Sequence, residues 1–365
     1  MRPDAELTIL LTVKDRLPFS YRWLSYADAI RFPFAVCVAG GGTSDEIGRT
    51  LTDQSRFPHA RYEYVRSAKM EDVLSGIRTP FVAMADTDTF FVVDGLRKAV
   101  DFLSRHADYA TCGGRHAAFV IDAPPGTTEA LYGPAWWRLS RRDAPPDCDT
   151  ARDRLRNLMP GAPGMSHHVR RTEALRAQFQ MLRDWEADHL FLQDVLIAFL
   201  TTVAGKSKVL DAPYVAQQWN APWNSARTPL LPVADHVACM LAPTWSADFE
   251  RLVTITARAL AERDGIPHRE ARRIVIEAYR RTMAPVILRD ALTAPTVTLP
   301  MAIAAGLARR LLALPPGSLT RRLARTLYRT TRWIPIDMVR GTALAGRPVP
   351  NAGRELAHIA QFLTR

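Results

Sequence analysis

The chain has 365 residues, 47% of them apolar and 23% charged, a balance that excludes a disordered or fibrous protein and is enough for one large or two medium domains. Its net charge of +11 is unevenly placed. From Pro285 onward there are twelve arginines, no lysine and three acids (Asp290, Asp337, Glu355), so most of the excess sits at the C-terminal end. Four scattered cysteines with no C-x-x-C pair exclude a disulfide framework or a zinc ribbon and read as reduced thiols.

Taken in chain order, "ELTILLTV" is a short β-branched run expected to be a buried strand, and "PFSYRWLSYADAI" follows with helical spacing. "FPFAVCVAGGG" is a second strand ending in glycines, and "SDEIGRTLTDQ" begins with a serine N-cap and predicts a helix. "ARYEYVR" and "KMEDVLSGI" repeat the strand–helix unit, and "PFVAMA" with "VDGLRKAVDFLSRH" repeats it again. "YATCGGR" and "AAFVID" read as two more strands. From Ala123 to Gly164 prolines and the pair Trp136-Trp137 predict a long loop or lid. "SHHVRRTEALRAQF" leads into a helix, "DHLFLQDVLIAFLTTVAGK" is an apolar helix, and "SKVLDAPYVAQQW" is a last strand. Beyond Leu241 the pattern is mainly helical. The alternation predicts an α/β fold, a mostly parallel sheet with helices on both faces and a C-terminal helical region. The expected division is 1–240 for the catalytic domain, with 123–165 as an acceptor loop or lid, and 241–365 for the basic helical region.

Such sheets bind ligands at the carboxyl ends of their strands. That places Lys14-Asp15-Arg16, Gly40-Gly41-Gly42 and Asp86-Thr87-Asp88 along one edge. Carboxylates at i and i+2 beside a buried strand cost desolvation free energy unless something compensates. A divalent cation with diphosphate oxygens would do so, and so would a turn that caps the next helix. In the apolar helix, an aspartate at 194 should have its pKa raised by desolvation, which suits a general base; Asp188 is the reserve. His167 and His168 are adjacent, so in a strand only one can enter a site. Trp136, Trp137, Trp219 and Trp223 are candidates for stacking on sugar rings, and Gln217 and Gln218 follow the last strand.

"LTILLTVKDRLPFSYRWLSY", "IRTPFVAMADTDTFFVVDGLRKAVDFLSRHADYATCGG" and "HHVRRTEAL" together resemble the GT-A glycosyltransferases related to family 2, in the subgroup of bacterial capsule and surface-polysaccharide loci. The resemblance covers roughly residues 6 to 220. It implies a GT-A, Rossmann-like fold and an inverting, metal-dependent transfer from a nucleoside-diphosphate sugar, with UDP favoured and Mg²⁺ or Mn²⁺ as the metal. It implies Asp88 as direct metal ligand and Asp86 at the ribose or in the metal shell; of the histidine pair, His168 is the candidate for a further metal or diphosphate contact, a hydrogen-bonded structural histidine being the alternative. Thr12, Asp15 and Arg16 would meet the nucleotide, Lys69 the base or phosphates, and Asp194 would be the base. The family's acidic turn after the second strand is missing; either Asp45 substitutes, or the glycine loop around Gly40 contacts the nucleotide through its backbone.

The acceptor is expected to be a glycan or lipid-linked glycan. The arginine-rich "LARRLLALPPGSLTRRLARTLYRTTRWIPI" fits an interfacial helix on an anionic membrane or a packing helix with a solvated basic face. The segment Thr296 to Leu314, broken by Pro300 and Arg309-Arg310, is a poor membrane span, so the expected location is cytoplasmic, with peripheral contact to the inner face of the plasma membrane. Two rivals remain at this stage. A sugar nucleotidyltransferase would show a glycine-rich loop after the first strand, where "VKDRLPF" stands. A non-catalytic nucleic-acid binder would rest on the basic tail alone, and no nucleic-acid recognition motif accompanies it.

Overall fold

The computed structural model describes residues 4–14, 16–41, 48–50, 53, 62–66, 70–122, 130–139, 147–158, 165–183, 185, 190–219, 240, 242–292 and 352–364. Among the described residues nine strands form one sheet: β1 (Asp4–Lys14), β2 (Phe34–Gly41), β3 (Tyr62–Arg66), β4 (Phe81–Asp86), β5 (Thr89–Phe91), β6 (Tyr109–Ile121), β7 (Ala135–Leu139), β8 (Val169–Arg171) and β9 (Lys206–Gln218). The strand order is β3-β2-β1-β4-β8-β6-β9-β5, with β7 joined to β6. β3, β2, β1 and β4 run parallel, as do β6 and β9, whereas β8, β5 and β7 pair antiparallel. The helices are α1 (Leu17–Ala29), α2 (Met70–Gly76), α3 (Val93–Arg105), α4 (Ala151–Arg156), α5 (Thr172–Leu182), α6 (Leu190–Ala204), α7 (Trp245–Asp264), α8 (His268–Leu292) and α9 (Ala352–Leu363).

The apolar run of β1 explains its central place, because both faces must be covered. Leu7, Ile9, Leu11 and Val13 pack with Trp23, Leu24 and Ala27 of α1 and Leu96, Val100 and Leu103 of α3. Leu10 points the other way, into Val73 and Leu74 of α2 and Leu175 of α5. Period-two alternation thus sends successive residues to opposite cores. Helices on both faces of a sheet with a parallel half are the α/β architecture that the strand–helix alternation predicts.

The two strands expected at "YATCGGR" and "AAFVID" are one, the thirteen-residue β6. The glycine pair is no turn, since neither Gly113 nor Gly114 has positive φ. What these positions require is the missing side chain. A Cβ at Gly113 would overlap the His168 ring, and one at Gly114 would meet the Ala212 carbonyl at 2.5 Å.

The segment 123–165, expected as a loop or lid, contains β7 and α4 among its described residues. Trp136 and Trp137 lie on β7 and are buried with Phe119 in the core rather than open to an acceptor. Leu155 of α4 joins Phe199 of α6, Leu252 of α7 and Ile274 of α8 in one apolar cluster, so the helices after residue 240 share a core with the preceding chain. Hydrogen bonds reinforce the join. Asp264, at the end of α7, accepts from the Ala151 and Arg152 amides at the start of α4 at 3.0 and 2.8 Å. Arg154, buried, donates to the Thr202 and Val203 carbonyls at the end of α6 at 2.8 and 2.9 Å. An acid at a helix start and a cation at a helix end each satisfy groups that the helix leaves open. At the other end of the molecule, Leu356, Ile359, Phe362 and Leu363 of α9 pack on Tyr26, Phe90 and Phe119. Among the described residues no helix is long and apolar enough to cross a membrane. The arginine-rich run from 293 to 351 lies outside the described residues, and so does most of the predicted helix "SDEIGRTLTDQ".

Candidate active site at the parallel strand exits

β2 and β4 flank β1 on its two sides, so the chain's connections diverge from β1 and leave a crevice at the carboxyl ends of these strands. Thr12 stands in register with Ala39 on one side and Asp86 on the other. Its hydroxyl lies 3.0 Å from Asp86 Oδ1 and 3.2 Å from the Ala85 carbonyl, and its one proton serves either acceptor. Gly40 occupies the adjacent β2 position, opposite Val13.

The strand breaks between the two aspartates. β4 ends at Asp86, residues 87 and 88 turn, and β5 resumes antiparallel to β9. Thr87 is buried, and the Gln218 amide donates to the Asp88 carbonyl at 3.0 Å, which fixes the turn. The break sends the carboxylates to different surroundings. Asp86 has 55% of its side chain exposed, whereas Asp88 has 13% and is ion-paired with Arg16 at 3.2 Å. The Thr89 hydroxyl reaches the other Asp88 oxygen at 3.3 Å.

The histidine pair divides as alternation requires, but the residue that faces the site is His167. Its Nδ1 lies 3.1 Å from the Met84 carbonyl and its Nε2 3.9 Å from Asp86 Oδ2. A carbonyl accepts only, so Nδ1 carries a proton, and Nε2 faces the carboxylate. Tyr214 holds the turn by donating to the His167 carbonyl at 2.7 Å. His168, the residue assigned to metal from the sequence, is wholly buried, its ring against Gly113 and about 6.0 Å from the rings of His116 and Tyr214. Chain direction at β8 turns it into the core.

Asp194 on α6 completes the cleft. It keeps an exposed surface, yet protein crowds it on its other sides. Its pKa is pushed up to about 7, first by burial and then by the Asp86 carboxylate; Arg170, buried behind it, pulls the other way. Solvent contact and a raised pKa are compatible where water reaches a carboxylate but cannot surround it. The structure therefore gathers Thr12, His167 and Asp194 around Asp86, and pairs Asp88 with Arg16. Asp15, Asp45, Lys69, Asp188 and Trp223 lie outside the described residues, as does the side chain of Lys14. Trp219 is exposed at the end of β9, with the Arg138 guanidinium 5.5 Å from its ring centroid. Gln218 is buried and hydrogen-bonded to Arg22 and the Ala130 carbonyl, a bracing role rather than a free tip above the cleft.

Of the site's participants, His167 was named from the sequence only as half of a pair, and Arg22 was not singled out. For His167 the only signal was the doublet itself, which does not say which ring faces the sheet edge. Arg22 is hidden in the apolar face of "SYRWLSY", yet it is 1% exposed and reaches the end of β9. Among the described residues no group of three His, Cys, Asp or Glu side chains is arranged to hold a metal ion. The donor set nearest to that description is Asp86 with Asp194 and His167. Asp86 and Asp194 both keep exposed carboxylates, while Asp88 is occupied by Arg16.

The fold and site thus define an α/β protein with an acid-lined cleft at the exits of parallel strands. No protein-family model matches the chain, and no curated protein matches it in sequence. Among solved structures it is similar to S. aureus TarS 1-349, with 13% identity over 90% of each chain and a TM-score of 0.46. Longer S. aureus TarS gives 12% identity and a TM-score of 0.44 over 90% of this chain and 53% of that one. TarS 1-349 in complex with UDP-GlcNAc gives 13% identity, 90% of each chain and a TM-score of 0.44. At that distance the reading of the site rests on this chain's own residues.

Proposed function

We propose that this protein is a glycosyltransferase that moves a sugar from a nucleoside-diphosphate sugar to a hydroxyl of a bacterial surface polysaccharide or lipid-linked glycan, with inversion at the anomeric carbon. The observation that carries the reading is Asp194, held near neutrality beside Asp86 at the exits of β1 and β4. A general base works best when its pKa lies near the working pH. Ionised Asp194 takes the acceptor hydroxyl's proton as that oxygen attacks the anomeric carbon, and the bond to the nucleoside diphosphate breaks with its electron pair. Protonated Asp194 then releases the proton to water. Arg170 behind the carboxylate limits how far its pKa can climb.

The Thr12 hydroxyl restrains Asp86, the more open carboxylate of the turn. Asp86 is thus the residue that would hold a divalent cation, joined by Asp88 once Arg16 turns elsewhere. Such a cation, when bound, supplies charge neutralisation for the departing diphosphate. UDP is the favoured nucleotide, and peripheral contact with an anionic membrane through the basic C-terminal region would suit a lipid-linked acceptor.

The test is hydrolysis of UDP-sugars, followed as UDP release with Mn²⁺ and with EDTA. Activity that needs Mn²⁺ and is lost in Asp86→Ala supports the reading. Full wild-type activity in EDTA, retained in Asp88→Ala, would show that metal and turn play no part.

A further inference from the structure

Beside Asp88, the N-cap and second turn of α1 carry Arg16 and Arg22 toward the same place. Both guanidiniums lie on the Phe19 ring, at 4.2 and 4.7 Å from its centroid, and Arg22 also faces Phe90 at 5.1 Å. Arg22 uses one nitrogen for the Gln218 side chain and the Leu131 carbonyl at 2.6 and 2.8 Å. Arg16 uses one nitrogen for Asp88. The remaining four, Nε and Nη2 of each residue, are buried and have no hydrogen-bond partner among the described residues. Burial lowers the pKa of Arg22 to about 10, with Asp88 opposing and Arg16 adding to the fall.

This arrangement is costly as it stands. An unsatisfied buried donor carries the full cost of its lost hydration, and more when it is charged. One carboxylate faces two cations. The start of α1 adds to the imbalance, since its N-cap residue is Arg16 and no side chain caps the helix. The exposed amides and dipole of a helix N-terminus favour negative charge. The opening is at Arg16 and Asp88, whose side chains are 11% and 13% exposed, with Arg22 sealed behind.

We propose that Arg16 and Arg22 form a phosphoryl-anion subsite that needs no metal, in which the anion takes the place of Asp88 on Arg16 and releases the Asp88 carboxylate. The transferase reading bears only on the source of the anion, either the diphosphate of a nucleotide or free phosphate; the site's chemistry is the same for both.

Calorimetric titration of the full chain with inorganic pyrophosphate in EDTA tests it. Saturable binding that weakens tenfold or more in Arg16→Gln and Arg22→Met supports the subsite. Asp88→Asn, which removes the competing charge, should tighten it. Absent binding, or affinity unchanged in Arg16→Gln, overturns the proposal, and Arg16→Gln decides alone if Arg22→Met does not fold. A parallel titration with UDP identifies the source. An equal loss assigns the site to the nucleotide's own diphosphate, and an unchanged UDP affinity beside a loss for pyrophosphate assigns it to a free anion. Loss of pyrophosphate binding with sugar transfer intact removes the subsite alone. Retained pyrophosphate binding with no turnover of any nucleotide-sugar removes the transferase reading alone.

Discussion

Asp194 and Asp86 influence one another through space, and this coupling can be measured. Burial and the Asp86 charge raise the Asp194 pKa to about 7, so the rate should climb with pH through that value as the base ionises. Asp194→Asn should lower turnover by roughly 10²-fold or more and abolish this limb. Asp86→Asn removes the repulsion, and the limb should move to lower pH in whatever activity remains. Stability runs the other way. In the unfolded chain an aspartate ionises near pH 4, so between that pH and about 7 the folded protein holds the extra proton. Stability therefore falls as pH rises across this window. Asp194→Asn escapes the penalty, and its melting temperature should exceed that of wild type at pH 8, with the difference shrinking toward pH 4. These positions also show what the sequence could disclose. An acid inside an apolar helical run is visible as a pattern. Which of two adjacent histidines faces Asp86, and that Asp88 is held by Arg16, depend on contacts more than 70 residues apart along the chain.

At the scale of elements, the strand exits were legible because burial on both faces makes a parallel strand an unbroken apolar run. β1, β2 and β4 with their polar ends could therefore be aligned without coordinates. β6 could not, because glycine in a strand pattern reads equally as a turn or as a close approach. Here the approach is real. Gly113→Ala would drive a methyl group into the His168 ring and should destabilise the protein by about 1–3 kcal/mol in chemical denaturation. Trp136 and Trp137 were misplaced for a related reason, since a proline-rich neighbourhood hid the short β7 that buries them. Helix ends supply another check. Asp264→Ala leaves the first amides of α4 without their acceptor, and a loss of about 1 kcal/mol is expected.

Across the whole molecule, the cleft is built by elements far apart in sequence, and the C-terminal part is woven into the same body. α7 and α8 pack on α4 and α6, the helix that carries Asp194. α9 covers Tyr26, whose hydroxyl lies 2.9 Å from the His358 ring and donates to the Phe91 carbonyl. Ending the chain at residue 351 would expose Leu356, Ile359, Phe362 and Leu363 together with the surface beneath them. At about 1.5–3 kcal/mol for each large side chain, the truncated protein should unfold at markedly lower denaturant concentration. The sequence showed a helical, basic end but no sign of this docking, because an apolar helix face does not name its partner. The measurement that bears most directly on the cleft as a nucleotide-sugar site is calorimetric titration of UDP in Mn²⁺ into wild type and Asp86→Ala. Saturable binding in wild type that falls at least tenfold in Asp86→Ala is the expected result. No binding of UDP or any other nucleoside diphosphate, or equal binding in both proteins, would contradict it.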